Sequence, residues 1–179
     1  MEDTNLLLTY LITLLVLLGV AAVLILRQVL KTRRMEMTLN RLQTKLTKEK
    51  GTAREYYELG SLLLDKKLYS QSSTQLKQAL KLIDKDESDN AALIHNALGF
   101  AYFAQEQYDL AIRHYKDALQ IAPEYVTALN NLGHSYERKQ LTAQALETYE
   151  AALALEPDNK TAKRRAESLR KRIVTAASS

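Results

Sequence analysis

The chain has 179 residues, no cysteine, five glycines and a formal net charge of +4. The missing cysteine excludes disulfides, thiolate metal sites and cysteine nucleophiles together. The scattered glycines exclude a phosphate-cradling loop, and the length limits the chain to one modest domain with an appendage. The charge is unevenly placed. Residues 27–50 carry +6, residues 51–158 carry −6 and residues 159–179 carry +6. An acidic body between two basic flanks says more about partners than the total does.

From the N-terminus, Thr4 to Leu26 holds no charged residue. As a helix its 23 residues span about 34 Å, enough for a hydrocarbon core of about 30 Å. The stretch is apolar all round, so it does not suit an amphipathic surface helix. It also starts acidic (Glu2, Asp3) and runs long, which opposes a cleaved signal. Residues 1–26 are therefore expected to be a retained single-pass anchor. Arg27, Lys31, Arg33 and Arg34 follow at once. Basic flanks stay on the cytoplasmic side, so the rest of the chain is expected in the cytoplasm or its organellar equivalent.

Residues 27–51 read as a basic helical stalk that continues the anchor and ends at Gly51. Met35, Leu39, Leu42 and Leu46 make a seam of about two heptads, too short for a secure coiled coil. The seam can pack on the body or on a membrane partner, or support a weak homodimer. Basic stalk residues can also rest on anionic headgroups.

Thr52 and Glu55 form a capping-box pattern that opens a repeated phrase. Tyr56, Leu59, Gly60, Leu63, Tyr69, Ser72, Leu76 and Ala79 make the first copy. His95, Leu98, Gly99, Tyr102, Tyr108, Ala111, Tyr115, Ala118 and Pro123 make the second. Leu129, Leu132, Gly133, Tyr136, Thr142, Ala145, Tyr149, Ala152 and Pro157 make the third. Gly99 and Gly133 lie 34 residues apart, and every later landmark keeps that period. This is the tetratricopeptide repeat (TPR) signature. Gly at position 8 and Ala at position 20 let the two helices of a repeat approach closely. Bulky residues fill the surrounding space, Ala at position 27 admits the next repeat, and Pro at position 32 stops the second helix.

The fold expected is all-α: a transmembrane helix and stalk, then a three-repeat TPR α-solenoid over residues 52–158, with repeats at 52–84, 91–124 and 125–158. The expected helices are 53–66, 69–83, 91–105, 108–121, 125–139 and 142–155. Asp84 to Asn90 reads as an inserted, solvated acidic loop. Residues 159–179 form a basic capping helix and tail, with the helix over 160–174 and its stripe on Ala162, Ala166, Leu169 and Ile173.

No catalytic, cofactor or metal set emerges. His95 takes a core position, His114 can face outward and His134 falls on the binding face. None pairs with another histidine at helical spacing, and no close carboxylate completes a ligand set. The basic run Lys163 to Arg172 has no interleaved aromatics and lies beside an acidic body, so no nucleic-acid partner is expected.

A TPR array offers a groove lined by the first helix of each repeat. The expected groove residues are Tyr57, Asn96, Phe100, Phe103, Asn130, His134, Glu137 and Arg138, alongside Arg54, Leu93 and Thr127. Phe100 and Phe103, the chain's two phenylalanines, can anchor a partner or pack between neighbouring first helices. Asn96 and Asn130 recur at 34 residues, a spacing that suits amides holding a peptide backbone. The clamp that chaperone-binding TPR proteins use for acidic C-terminal tails needs Lys/Arg and Asn at positions held here by Tyr57, Ser61, Ala97, Thr127 and Asn131. That clamp is missing.

LRQVLKTRR, EKGTAREYYELGSLLLDKKLYSQ, ALGFAYFAQEQYDLAIRHYKDAL, TALNNLGHSYERKQLTAQALETYEAALALEP and AKRRAESLRKR cover nearly the whole chain. Together they resemble the small membrane-anchored TPR proteins of cyanobacteria and algal plastids that act in photosystem I assembly or stability. The resemblance implies a thylakoid protein with its repeats on the cytoplasmic or stromal side. The implied partner is a photosystem I subunit or assembly protein, and no enzyme activity or cofactor is implied. A general membrane-tethered TPR receptor or adaptor for protein transport or another membrane complex is the alternative that the anchor and repeats would equally serve.

Overall fold

A computed structural model describes residues 2–83 and 88–177. Among the described residues the secondary structure is eight α-helices without strands. They are α1 (Glu2–Lys48), α2 (Ala53–Asp65), α3 (Tyr69–Leu82), α4 (Ser88–Ala104), α5 (Tyr108–Ile121), α6 (Val126–Arg138), α7 (Thr142–Leu155) and α8 (Lys160–Ala177). They fall into two units, Met1–Glu49 and Lys50–Ser179.

The first unit is α1, one unbroken helix of 47 residues. No proline or cap interrupts it where the apolar stretch passes into the basic stalk. By length and composition it can cross a membrane. Leu11, Leu14, Leu15, Leu17, Leu18, Leu24 and Ile25 are exposed on it, so its apolar surface runs all round the helix.

The second unit stacks three helical hairpins, α2/α3, α4/α5 and α6/α7, and closes with α8. Thr52 caps α2 reciprocally: its Oγ1 accepts from the Glu55 amide at 3.3 Å, and its own amide donates to Glu55 Oε2 at 3.0 Å. Within each hairpin the turn repeats. Lys67, Glu106 and Gln140, all at position 15 of their repeats, have φ near 60°. The amides of Leu68, Gln107 and Leu141 return to the carbonyls of Leu63, Tyr102 and Tyr136 at 2.9, 3.0 and 2.9 Å. This is the Schellman closure, built without the usual glycine.

The hairpins close on their glycines. A Cβ on Gly60 would sit 2.7 Å from Leu76, on Gly99 2.5 Å from the Tyr115 ring, and on Gly133 2.9 Å from the Tyr149 ring. The contact that demands glycine at position 8 is therefore the large residue at position 24. Ala111 and Ala145 at position 20 are buried, and Ser72 takes their place in the first repeat. Its hydroxyl donates to the Gly60 carbonyl at 2.7 Å, so the substitution adds a hydrogen bond to the same close contact.

The second helices α5 and α7 occupy their expected spans. α4 starts earlier, at Ser88, so Ser88 to Asn90 form a helical turn and not loop. Ser and Asp are residue types that favour helix starts. The rest of the expected acidic loop, 84–87, lies outside the described residues. α8 starts after Asn159, whose Oδ1 accepts from the Ala162 amide at 3.0 Å. It buries Ala162, Ala166 and Leu169 and leaves Ile173 exposed. It runs on to Ala177 past the expected end, and residues 178–179 of the expected tail lie outside the described residues.

Candidate functional site

Successive first helices touch across the repeats, α2 with α4 and α4 with α6, and so line one continuous face. At its N-terminal end Arg54, Tyr57, Leu93 and Ile94 surround a cavity of about 320 Å³, which Ala53, Ile83 and Asn90 complete. Tyr57 is half-buried there, while Arg54 is exposed.

The middle of the face is already hydrogen-bonded to itself. Asn96 Nδ2 donates to Tyr125 Oη at 3.2 Å, and Asn96 Oδ1 accepts from Asn131 Nδ2 at 3.1 Å. Asn96, expected from sequence to hold a partner's backbone, thus commits one donor and one acceptor of its amide to α6 and the residue that precedes it. Burial, followed by the nearby Tyr57, raises the Tyr125 hydroxyl above its ordinary pKa. Asn130 keeps a buried Oδ1 without a hydrogen-bond partner.

The two phenylalanines separate. Phe103 is half-buried, with its ring centroid 4.7 Å from His134 and 5.4 Å from Tyr108, so it packs between α4, α5 and α6. Phe100 is 43% exposed, and its ring meets the edge of Tyr69 at 6.5 Å. Of the pair, Phe100 is the ring available to a partner. Burial, followed by Arg165, lowers the pKa of His134. Glu137 is committed internally: Tyr149 Oη donates to its Oε1 at 2.7 Å and Arg165 Nη1 to its Oε2 at 3.3 Å. Arg138 lies over the Tyr108 ring at 4.9 Å, and its Nη2 is 3.7 Å from Glu106 Oε1. On the first helices Leu93 and Phe100 are thus exposed apolar side chains, and Arg54 and Arg138 are exposed basic ones.

A second constellation lies within the α4/α5 hairpin. His95 Nδ1 and His114 Nδ1 are 3.1 Å apart, and Asp117 Oδ2 is 3.5 Å from the first and 3.8 Å from the second. A carboxylate thus stands close, against the expectation that none completes a ligand set, and His114, which the sequence allowed to face outward, is half-buried. His114 stacks on Tyr102 at 5.4 Å, nearly parallel. Burial lowers the pKa of both imidazoles, His114 to about 4 with His95 as a second cause. The three residues are 19 and 22 positions apart in sequence. Only the hairpin frame, with position 4 facing positions 23 and 26, would have joined them.

Two family profiles match the repeats: one described as TPR repeat over residues 99–140, and one as tetratricopeptide repeat over residues 126–159. The ycf37 protein of Cyanophora paradoxa is 38% identical over 143 residues, which cover 79% of this chain and 81% of that protein. The chain belongs to the ycf37 family. It is also 37% identical over 166 residues to the Arabidopsis thaliana "Tetratricopeptide repeat domain-containing protein PYG7, chloroplastic". That match covers 93% of this chain, which spans only 55% of the Arabidopsis protein. Among solved structures, the "First TPR of Spaghetti (RPAP3) bound to HSP90 peptide SRMEEVD" superposes with a TM-score of 0.63 at 19% identity. It covers 69% of this chain and 94% of that one, and the likeness carries the TPR fold alone. The ycf37 chain is thus an all-helical protein with a TPR protein-interaction fold.

Proposed function

We propose that this ycf37 chain is a non-enzymatic, membrane-anchored scaffold that assists photosystem I assembly or stability in the thylakoid membrane. The observation that carries the reading is α1. Its apolar surface is exposed all round, and Arg27, Lys31, Arg33 and Arg34 follow it in the same helix. A surface of that kind is stable in lipid and not in water. The basic flank supports a cytoplasmic or stromal side for the TPR unit. Anchoring confines the unit to the plane that holds its clients and so raises their effective concentration. The chloroplastic Arabidopsis relative supports a plastid or cyanobacterial setting.

The client segment lies in the groove. Leu93 and Phe100 supply apolar contact, while Arg54 and Arg138 favour acidic residues at its ends. Assignment to photosystem I rests on the family resemblance of the anchor, the stalk and the residues between repeat landmarks. Deleting the gene and measuring photosystem I per cell, and its rate of recovery after depletion, tests the reading. A selective loss of photosystem I is expected. Unchanged amount and recovery would overturn it.

A further inference from the structure

The His95, His114 and Asp117 cluster is independent of the groove residues and has a geometry of its own. We propose that it is a binding site for a divalent transition metal of the zinc type, clamping α4 to α5 within the second repeat. His114 and Asp117 share one face of α5 at a spacing of three residues, and His95 meets them from α4. The three atoms form a triangle with sides of 3.1, 3.5 and 3.8 Å. The circle through its corners has a radius of about 2.0 Å, which matches zinc–nitrogen and zinc–oxygen bonds of about 2.0–2.2 Å. An ion near its centre meets all three ligands without helix movement.

A simple imidazole pair explains less. One Nδ1 can donate its proton to the other, but the accepting Nδ1 then has no proton to offer the carboxylate beside it. A cation at the centre satisfies all three groups. Imidazole with carboxylate suits zinc among the abundant divalent ions. The ligand side chains keep 14, 16 and 32% exposure, so solvent can reach a fourth coordination position, where water or a partner's side chain completes a tetrahedron. Arg113 and Lys77 stand close enough to His114 to oppose a cation. The site is therefore set for reversible binding rather than for a permanently buried ion.

The test uses the untagged full-length chain in detergent, stripped of metal and titrated with Zn²⁺ by calorimetry at neutral pH. Co²⁺ serves as a spectroscopic probe. The expected result is one ion per chain, visible cobalt d–d absorption that Zn²⁺ bleaches, and a raised melting temperature. His114→Gln and Asp117→Asn should each weaken Zn²⁺ binding at least tenfold, the loss that even outer partners of a metal site cause (about 10–100-fold). Circular dichroism checks their folding. Asp117→Asn preserves size at the most exposed ligand, so it decides the matter should His114→Gln fail to fold. The absence of stoichiometric binding, or binding that survives Asp117→Asn unchanged in the folded chain, would overturn the proposal.

Discussion

The Tyr149 hydroxyl donates a 2.7 Å hydrogen bond to Oε1 of Glu137. Tyr149 also receives Gly133 against its ring, and the second oxygen of Glu137 accepts from Arg165 of the capping helix. One carboxylate therefore joins both helices of the third repeat to the cap. Glu137→Ala should lower unfolding stability by roughly 1.5–3 kcal/mol, the range for hydrogen bonds to a charged group. Thermal denaturation followed at a helical wavelength measures it. Arg165→Ala, which removes the longer and more exposed contact, should cost less.

The glycines at position 8 should differ in tolerance. Gly99→Ala would put a methyl 2.5 Å from the buried Tyr115 ring, whereas Gly60→Ala meets the branched end of Leu76 at 2.7 Å. An aromatic ring has fewer ways to yield. Overpacking of this kind costs about 1–3 kcal/mol, offset partly by the higher helix propensity of alanine, about 1 kcal/mol. Denaturant titration should therefore show Gly99→Ala as clearly destabilised and Gly60→Ala as the milder change.

The αL turns offer the opposite sign. Gln140 has φ near 60° and closes α6. Gln140→Gly removes the Cβ penalty of that conformation, about 1–2 kcal/mol, against the greater backbone freedom that glycine brings to the unfolded chain. A small net rise in melting temperature is the expected outcome.

The histidine pair sets a pH dependence in metal-free buffer. Burial lowers both imidazoles below 6.5, with His114 at about 4. A depressed folded value means that the unfolded chain binds protons first. The contribution is whole above about 6.5, shrinks as pH falls, and has gone by about pH 4. Unfolding free energies at pH 7 and pH 4.5 should differ more in the wild-type chain than in His114→Gln.

How much of this the sequence carries depends on the reach of the interaction. The 34-residue period locates α5 and α7 because Gly99, Gly133, Pro123 and Pro157 act locally on helix contact and termination. The capping box at Thr52 and Glu55 is equally local. The turns at Lys67, Glu106 and Gln140 are hidden because none is glycine; their left-handed backbone is imposed by the helices they join. Groove chemistry is the least legible. The partners of Asn96, Asn131 and Tyr125, come from α6 and its entry, and Phe103, which the sequence left open between anchor and packing, has His134 and Tyr108 against its ring. His95, His114 and Asp117 meet only through the packing of one hairpin.

Groove engagement is most directly tested by placing a photo-activated cross-linking residue at Phe100 in native membranes and identifying the attached chain. Phe100 is 43% exposed, and its ring meets Tyr69 edge-on. The same cross-linker at Glu147, exposed on α7, serves as the comparison. The account predicts an adduct with a photosystem I subunit or assembly protein from position 100 and none from position 147. An adduct from position 147 alone, or a partner unrelated to photosystem I at position 100, would contradict it.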